Sequence, residues 1–573
     1  MVTDAEVSPQ DPYASRPWLA GYPPYASAEL DAERHPTVNA IFLDSVEKFA
    51  RQEALESFGV GMDYMTLGGH AAAVSSWLQN AGLKKGDRVA IMSPNLASYP
   101  PILFGVLLAG GVVVNVNPLY TPHELEHQLG DAEPRFIFVL ENFAHTVAAA
   151  WPNMRIEKAV IVRPGDLLGG KGVLVNFVSR WIHRAVPAYS LPDSIFFFQA
   201  MREGHLHRRP AVAVAPDDIA FLQYTGGTTG VAKGAVLLQR NVAANVAQVT
   251  QWLKPFGAGR QKMVTALPLY HIFGLTACLL MMVRLGGCCL LVANPRDIPG
   301  FVKILRKSSF TMFSGVNTLY AALADNAAFA ALDFSKLVFS ISGGMATQDV
   351  VARKWKKVAG KAIIEGYGLS ETSPVVTINL PFLEEFSGTI GYPQASTLLS
   401  IRREDGTPAP FGERGELCVK GPQVMAGYWR KPDETAAATT ADGFFRTGDV
   451  AMMLPSGEFK IVDRLKEMII VSGFNVYPNE VENALAHHPK VKEVAVIGAP
   501  DRHSGETVVA YVVPRTPDLT AAELSAFAHE TLTGYKIPRR YVFTDSLPKS
   551  AVGKILRRVL RDKYLVEHPA KTG

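Results

Sequence analysis

The sequence predicts an α/β fold, in which a large N-terminal domain of several subdomains precedes a small α+β C-terminal domain. Up to residue 463, short β-rich runs alternate with helical patterns: "RVAIMSP" follows "AAAVSSWLQNAG", and "FIFVL" precedes "NFAHTVAAAW". From residue 464 onwards this regular alternation stops. The 573-residue chain is 48% hydrophobic and 19% charged, as expected of a globular protein with substantial cores.

The C-terminal unit is predicted from its own elements. "VKEVAVIGAP" and "TVVAYVVP" have the composition of strands, as does "RRYVFT" further on. "TAAELSAFAHETL" is a predicted helix with Thr520 and Glu523 at capping-box spacing, and "ILRRVLRDKYL" is a final helix. We place the join between Asp463 and Lys466, which gives domains 1–463 and 464–573.

Charge, cysteines and the N-terminus narrow the class of protein. A net charge of +4 without a basic cluster argues against a nucleic-acid partner. The four cysteines, Cys278, Cys288, Cys289 and Cys418, lack zinc-ligand spacing, so we interpret them as reduced thiols. The polar, acidic N-terminus does not resemble a signal peptide. These features predict a cytoplasmic protein.

Two apolar stretches could be mistaken for membrane spans. Residues 102–114, "ILFGVLLAGGVVV", are shorter than the ~20 residues that a crossing helix needs. Residues 274–293 contain Arg284 near their middle, and a central arginine costs at least ~2.5 kcal/mol in a bilayer. Both stretches are predicted to be buried helix-to-strand units.

A third stretch, "VLVNFVSRWIHRAV", has an amphipathic helical pattern. Its apolar face consists of Leu174, Phe177, Val178, Trp181, Ile182 and Ala185, and its polar face of Asn176, Arg180, His183 and Arg184. A basic face opposite an aromatic one suits a membrane surface, here the inner face of the cytoplasmic membrane. The alternative is a helix packed on the core of the protein itself.

The stretch "YTGGTTGVAKG", residues 224–234, has the composition of a phosphate-binding loop. A Walker loop has a Ser or Thr after its lysine and leads into a helix. Here Gly234 follows Lys233, and the strand-like "AVLLQ" comes next, with a helix predicted only near Asn241. The loop therefore lies between two strands, where backbone N–H groups, threonine hydroxyls and Lys233 can surround phosphate oxygens.

Four further motifs follow in order: "EGYGLSETSP", "GFFRTGDVAMM", "DRLKEMIIVSGFNVYPNEVE" and "LPKSAVGKILRR". Together with the glycine-rich loop, they resemble the AMP-forming acyl-CoA synthetase superfamily, the ANL adenylating enzymes, over nearly the whole chain. Within it, "ALPLYHIFGL", "SGGMATQDVV" and "ELCVKGPQVMAGYW" are most similar to bacterial long-chain fatty-acid–CoA ligases. The resemblance implies that a fatty carboxylate reacts with ATP to give acyl-AMP and pyrophosphate, after which coenzyme A displaces AMP.

The resemblance also implies roles for individual residues. The ATP/AMP-binding set would be Thr225, Gly226, Gly227, Thr228, Thr229, Gly230, Lys233, Gly343, Gly344, Gly366, Tyr367, Ser370, Asp449 and Arg464. Tyr367 would stack on adenine, Asp449 would accept the ribose hydroxyls, and Ser370 would donate to the α-phosphate. Glu371 would hold Mg²⁺, and His271 would lie beside the reacting carboxylate.

Lys554 is the most specific of these expectations. The resemblance implies that it enters the adenylation site from the C-terminal domain, whereas Arg557 and Arg558 are interpreted as a solvated basic face. The small domain would then rotate about Lys466, so that Gly473 and Phe474 line the coenzyme A tunnel. Gln239 departs from the histidine usual in the family, and little effect is expected.

Other functions share parts of this pattern. A fatty-acyl-AMP ligase usually has an extra insertion, which is absent between Glu371 and Phe444. An aryl or short-chain acid ligase is a second alternative, although Gly274, Gly315, Val316 and Gly343 are small residues that would leave room for an alkyl chain. A non-enzymatic fatty-acid carrier is a third. Chain-length preference and oligomeric state stay open, a homodimer included.

Overall fold

The computed structural model describes residues 11–31, 36–225, 232–550 and 552–568. The strands are β1 Glu53–Ser57, β2 Val60–Asp63, β3 Arg88–Met92, β4 Val112–Asn115, β5 Phe136–Leu140, β6 Lys158–Val162, β7 Ile195–Phe196, β8 Ile219–Thr225, β9 Lys233–Leu238, β10 Lys262–Thr265, β11 Cys288–Leu291, β12 Met312–Gly315, β13 Phe339–Ser342, β14 Ile364–Gly368, β15 Val375–Ile378, β16 Tyr392–Pro393, β17 Leu398–Arg402, β18 Gly415–Lys420, β19 Gly427–Tyr428, β20 Phe445–Met453, β21 Phe459–Arg464, β22 Ile469–Val471, β23 Phe474–Val476, β24 Val491–Asp501, β25 Gly505–Pro514 and β26 Arg540–Phe543.

The α-helices alternate with these strands over most of the chain. They are α1 Val38–Lys48, α2 Tyr64–Asn80, α3 Tyr99–Leu108, α4 Pro122–Ala132, α5 Ala144–Ala150, α6 Gly169–Phe177, α7 Phe197–Leu206, α8 Gln239–Trp252, α9 Met281–Leu285, α10 Ile298–Lys307, α11 Asn317–Ala324, α12 Ala327–Ala330, α13 Asp349–Ala359, α14 Pro432–Ala437, α15 Pro478–Ala486, α16 Ala521–Thr531 and α17 Arg557–Glu567. Two π-helical segments, Val178–Ile182 and Phe273–Leu280, continue α6 and precede α9.

Two large sheets with a shared helical layer form the body of the N-terminal domain. One has the strand order β19-β9-β8-β4-β3-β5-β6-β7 and the other β16-β15-β14-β13-β12-β10-β11-β1-β2. The largest core cluster joins the two sheets through helices α1, α2, α3 and α8. Helices α4 and α5 cover the other face of the first sheet, and α10, α11 and α13 that of the second. The central strand β5 is apolar throughout, and β3 is apolar after Arg88, because both of their faces are covered.

A four-stranded antiparallel sheet, β17-β18-β20-β21, leads to the C-terminal domain. That domain contains β22 to β26 in one sheet, packed with α15, α16 and α17. The predicted fold class is therefore confirmed, and Thr520 caps α16 by accepting the N–H of Glu523 at 3.2 Å. The final helix begins at Arg557 and α8 begins at Gln239, each two residues from the predicted start.

The two apolar stretches form helix-to-strand units, as predicted. Residues 102–114 continue α3 into β4, and residues 274–293 run from the π-helical segment through α9 into β11. No helix among the described residues is both long enough and apolar enough to span a bilayer. The four cysteines are buried free thiols.

The amphipathic stretch is helical, and its apolar face is exposed. Leu174, Phe177, Trp181 and Ile182 have 54–66% of their surface accessible. This contradicts the alternative in which the face packs on the core of the protein. Arg180 does not lie free on the polar face, because its Nη1 lies 2.5 Å from a carboxylate oxygen of the buried Glu141.

Candidate active site

The site begins where four parallel strands of the second sheet end. Strands β14, β13, β12 and β10 are neighbours, so their carboxyl ends lie along one edge. His271 follows β10, Gly343 and Gly344 follow β13, and Tyr367 lies near the end of β14. Ligands of open α/β sheets usually bind at this edge. Sheet topology therefore assembles residues that are nearly 100 positions apart in the sequence.

Asp449 connects β14 to the antiparallel pair β20 and β21. The hydroxyl of Tyr367 donates to Asp449 Oδ2 at 2.6 Å, and Arg464 Nε lies 3.0 Å from Asp449 Oδ1. Asp449 is only 3% exposed, and its burial raises the pKa of the carboxyl, which the nearby Arg464 opposes. Three residues predicted to contact the nucleotide thus form one hydrogen-bonded group.

Glu371 lies in a short 3₁₀ turn, Ser370–Thr372, directly after the Tyr367 segment. Its buried carboxylate accepts a hydrogen bond from the hydroxyl of Tyr428 at 2.9 Å. Burial raises the pKa of Glu371 above its ordinary value. Tyr428 was not predicted to be a site residue, since nothing in its local sequence indicates that its hydroxyl reaches a carboxylate 57 positions earlier.

Lys233 also lies near Tyr428. Its ammonium forms an ion pair with Glu434 and lies 5.3 Å from the centre of the Tyr428 ring. Thr225, the last residue of β8, approaches the carbonyl of Lys233 with its hydroxyl at 3.5 Å. The predicted strand–loop–strand arrangement is confirmed by the antiparallel pairing of β8 with β9. The remaining loop residues of the prediction, Gly226, Gly227, Thr228, Thr229 and Gly230, lie outside the described residues.

Lys554 reaches this edge of the sheet from the C-terminal domain. A Cβ atom built on Gly344, whose φ is +79°, would lie 3.5 Å from Lys554 Cε and 4.0 Å from Nζ. Burial, assisted by the charge of Arg464, lowers the pKa of Lys554 to about 8, although the charges of Asp449, Glu371 and Glu467 oppose the shift. The predicted lysine therefore lies among the predicted nucleotide-binding residues.

His271 lies close enough to Lys554 for the two charges to interact. Burial, assisted by the Lys554 charge, lowers the pKa of His271 to about 3, so its imidazole is neutral at physiological pH. The N–H of Phe273 points at His271 Nδ1 at 3.4 Å, which assigns the ring proton to Nε2. His271 is then a neutral hydrogen-bond donor and not a source of positive charge.

The small residues expected to leave space do not all do so. A Cβ on Gly343 would lie 2.9 Å from the carbonyl oxygen of Gly366 and 3.0 Å from Phe273, and one on Gly274 would lie 2.3 Å from a backbone oxygen. A Cβ on Gly315 would lie 3.0 Å from the Tyr320 ring. These glycines permit close packing of the protein on itself, so the expectation that they open room for an alkyl chain is wrong. Gly344 is the one of the pair that faces Lys554.

Gly473 and Phe474 are not joined to this cluster. Gly473 has a φ of +84° in the turn between β22 and β23, and a Cβ there would have no described neighbour within 4 Å. Phe474 is 56% exposed and stacks on Tyr535 with ring centroids 4.9 Å apart. Lys466 is exposed in the 3₁₀ turn after β21. Their roles as tunnel and hinge stay predictions.

Arg557 differs from its sequence interpretation. Its guanidinium bonds Glu482 at 2.8 and 2.9 Å and Asn479 at 2.5 Å, and it also pairs with Glu467. The side chain is 17% exposed, whereas that of Arg558 is 61% exposed. Arg557 therefore fixes the start of α17, the helix that follows Lys554, and only Arg558 lies on a solvated face.

Gln239 is a structural residue. It is 1% exposed, and its side-chain oxygen accepts the N–H of Val38 at 3.0 Å, which ties α8 to α1. The departure from the family pattern at this position therefore affects a helix contact in the core.

The fold and this convergent site define a class of enzyme that adenylates its substrate. The AMP-binding enzyme model matches residues 42–429, and the model of the AMP-binding enzyme C-terminal domain matches residues 480–554. The chain belongs to this family.

Individual relatives match over nearly their full length. A long-chain-fatty-acid–CoA ligase of Escherichia coli O6:H1 is 49% identical, covering 95% of this chain and 98% of the relative, and one of Haemophilus influenzae is 43% identical, covering 96% and 99%. The crystal structure of ATP-bound MatB from Rhodopseudomonas palustris aligns with a TM-score of 0.76 at 27% identity, covering 92% of this chain and 99% of that one.

Proposed function

We propose that this protein is an AMP-forming long-chain fatty-acid–CoA ligase. In the first half-reaction the fatty carboxylate attacks the α-phosphate of ATP, giving acyl-AMP and pyrophosphate. In the second, the coenzyme A thiol attacks the acyl carbon and AMP leaves. The observation that supports the proposal is the proximity of Lys554 to Gly344, His271 and Asp449. In the proposed reaction this lysine would face the carboxylate and the α-phosphate. The relatives' names supply the acyl class.

The first half-reaction brings two anions together, so positive charge and hydrogen-bond donors must face them. Lys554 supplies a charge at the reacting atoms, and His271 donates a hydrogen bond without adding charge. Lys233 would exchange its pairing with Glu434 for the outer phosphates. Tyr367, Ser370, Asp449 and Arg464 would orient adenine, α-phosphate and ribose.

Mg²⁺ fits the carboxylate of Glu371. Mg²⁺ in nucleotide sites is usually held by one or two carboxylates together with substrate phosphates, and Glu371 offers a buried oxygen oriented by Tyr428. When bound, the ion would neutralise charge on the phosphates. Its pull on the carboxylate would also offset the burial that raises the pKa of Glu371.

The second half-reaction requires a different face of the small domain. We propose that the domain, residues 464–573, rotates about Lys466 and replaces Lys554 by the hairpin of Gly473 and Phe474. A residue without a side chain would then leave space for the pantetheine thiol. The open surroundings of Gly473 are consistent with a segment used in another pose.

Contact with the cytoplasmic membrane surface is a further part of the proposal. Long-chain fatty acids partition into bilayers, and α6 with its π-helical continuation exposes Leu174, Phe177, Trp181 and Ile182. Each large apolar side chain contributes ~1.5–3 kcal/mol when fully buried. Since Arg180 is paired with Glu141, Arg184 is the arginine of this segment available for anionic headgroups, at ~1 kcal/mol. Half of this sum would give weak, reversible attachment.

Pyrophosphate release with palmitate, measured with and without coenzyme A, tests the catalytic proposal. A CoA ligase should release pyrophosphate once per site without CoA and continuously with it. Sustained pyrophosphate release that ends with the acyl group on a carrier protein would favour a fatty-acyl-AMP ligase. No pyrophosphate release would favour a non-enzymatic fatty-acid carrier. A panel of acids from C6 to C20, with an aryl acid, separates a long-chain preference from the alternatives.

A further inference from the structure

The loop that carries Lys554 rests on the large domain at the start of α11. The hydroxyl of Thr318 donates to the carbonyl oxygen of Gly553 at 3.2 Å, and Gly553 directly precedes Lys554. Arg296 Nη2 approaches the carbonyl oxygen of Ser550 at 3.3 Å. Both contacts join large-domain side chains to backbone oxygens, so they depend on where the loop lies and not on its side chains.

Gly553 allows the loop to come this close. Its φ is +84°, and a Cβ there would lie 2.8 Å from Thr318 Oγ1 and 3.2 Å from a methyl of Val316. A side chain would therefore meet both strain and a clash at this position. The contact is closer than most residue types could make.

The loop itself is closed by its own hydrogen bonds. The N–H of Ser550 donates to the carbonyl of Lys554 at 2.7 Å, and the N–H of Lys554 donates to Ser550 Oγ at 3.1 Å. The N–H of Gly553 donates to the carbonyl of Ser550 at 3.0 Å. Since Ser550 and Gly553 are the two residues held by the large domain, their position determines where the Lys554 backbone lies.

Two further contacts, away from the Lys554 loop, join the C-terminal domain to the large domain in the same orientation. His487, just after α15, approaches Asp349 with Nε2 at 3.2 Å, and Arg515 lies 3.3 Å from Asp325. Asp325 directly follows α11, the helix whose first turn carries Thr318, and Asp349 begins α13. A rotation of the C-terminal domain that removes Lys554 from the site would break these two contacts as well as those of the Lys554 loop.

We propose that Thr318 and Arg296 form a seat for the Lys554 loop and position the lysine for the first half-reaction. Thr318 is a positioning residue: it acts through the lysine and has no part in thioester formation. This inference rests on the proposed function, since it concerns the same lysine. The inference adds that the equilibrium between the two proposed orientations of the C-terminal domain depends on a contact outside the substrate sites.

The test is the variant Thr318→Val, which keeps the shape and removes the donor. Acyl-AMP formation, measured by pyrophosphate release in a single turnover, should fall about fivefold, the factor expected for one net hydrogen bond. Conversion of supplied acyl-AMP and coenzyme A should stay unchanged or become faster. An equal fall in both half-reactions, or no change in either, would overturn the proposal.

A control and a double variant remove the remaining alternatives. Thr531→Val makes the same substitution on the exposed end of α16 and should change neither half-reaction. In a Lys554→Ala background, Thr318→Val should add no further loss, because the group that it positions is gone. A further fivefold loss there would assign Thr318 a role of its own and refute the seat. The assay uses whichever carboxylic acid the parent enzyme adenylates, so a failure of the long-chain assignment leaves this test intact.

Discussion

Replacement of Lys554 by alanine should separate the two half-reactions. Lys554 lies beside Gly344, next to the neutral His271, so its replacement removes the ammonium group that would face the two anions in the proposed reaction. The loss of one preorganised donor typically costs two to three orders of magnitude in rate, or about 2.7–4 kcal/mol. We expect acyl-AMP formation to fall by this factor, while supplied acyl-AMP and coenzyme A still give acyl-CoA.

The pH dependence gives a second measure of the same lysine. Its pKa of about 8 lies below the usual lysine value because the ammonium is buried near Arg464, although Asp449, Glu371 and Glu467 oppose the shift. The charged form is present below this pKa and is lost above it. For the free enzyme, kcat/KM of adenylation should therefore be level below pH 8 and fall about tenfold for each pH unit above it. In Lys554→Arg this alkaline fall should disappear, since arginine stays charged.

Pyrophosphate release, in single turnover and with a soluble medium-chain acid, is the assay for both experiments. Lys563→Ala, which removes an exposed lysine of the same domain, is the control and should behave as the parent enzyme. Equal losses in the two half-reactions of Lys554→Ala would refute the assignment of the lysine to adenylation alone. An alkaline fall that persists in Lys554→Arg would show that another group titrates.

Three further predictions concern other parts of the molecule. Gly473→Leu places a side chain in open space in this pose, so single-turnover pyrophosphate release should survive while acyl-CoA formation fails; normal thioester formation would contradict the tunnel assignment. Trp181→Glu should weaken sedimentation with anionic vesicles without lowering the melting temperature. The control Val566→Glu, at another exposed site, should leave both vesicle binding and melting temperature unchanged. Unchanged vesicle binding of Trp181→Glu with a lowered melting temperature would refute the membrane role. Glu365 is buried, and burial raises its pKa to about 7, so its ionisation destabilises the fold progressively from its ordinary pKa up to about pH 7. The amide oxygen in Glu365→Gln can still accept the N–H of Thr347. The melting temperature of this variant should therefore exceed that of the parent by about 2 °C or more at pH 8, but not at pH 4. An equal difference in melting temperature at the two pH values would contradict this.

The sequence by itself determined the order of elements and predicted the residues of the candidate site. Alternating apolar runs are a local property, and they predicted α3, β4, β8 and β9 where the structure has them. The motif residues Lys554, His271 and Asp449 could be named because each stands in a long stretch with a distinctive order. These predictions needed no knowledge of which segments touch.

Tertiary structure decided which surfaces are covered and which distant side chains meet. The periodicity of the Trp181 segment reveals one apolar face but not whether another element covers it, and here none of the described residues does so fully. The sequence predicts that Arg557 is a surface arginine, but in the folded chain it pairs with Glu467 and Glu482. The hydroxyl of Tyr428 reaches Glu371 only because β19 pairs with β9 beside the site. Burial, and with it the shifted pKa values of Lys554, His271 and Asp449, depends on atoms that are remote in sequence, so local pattern cannot supply it.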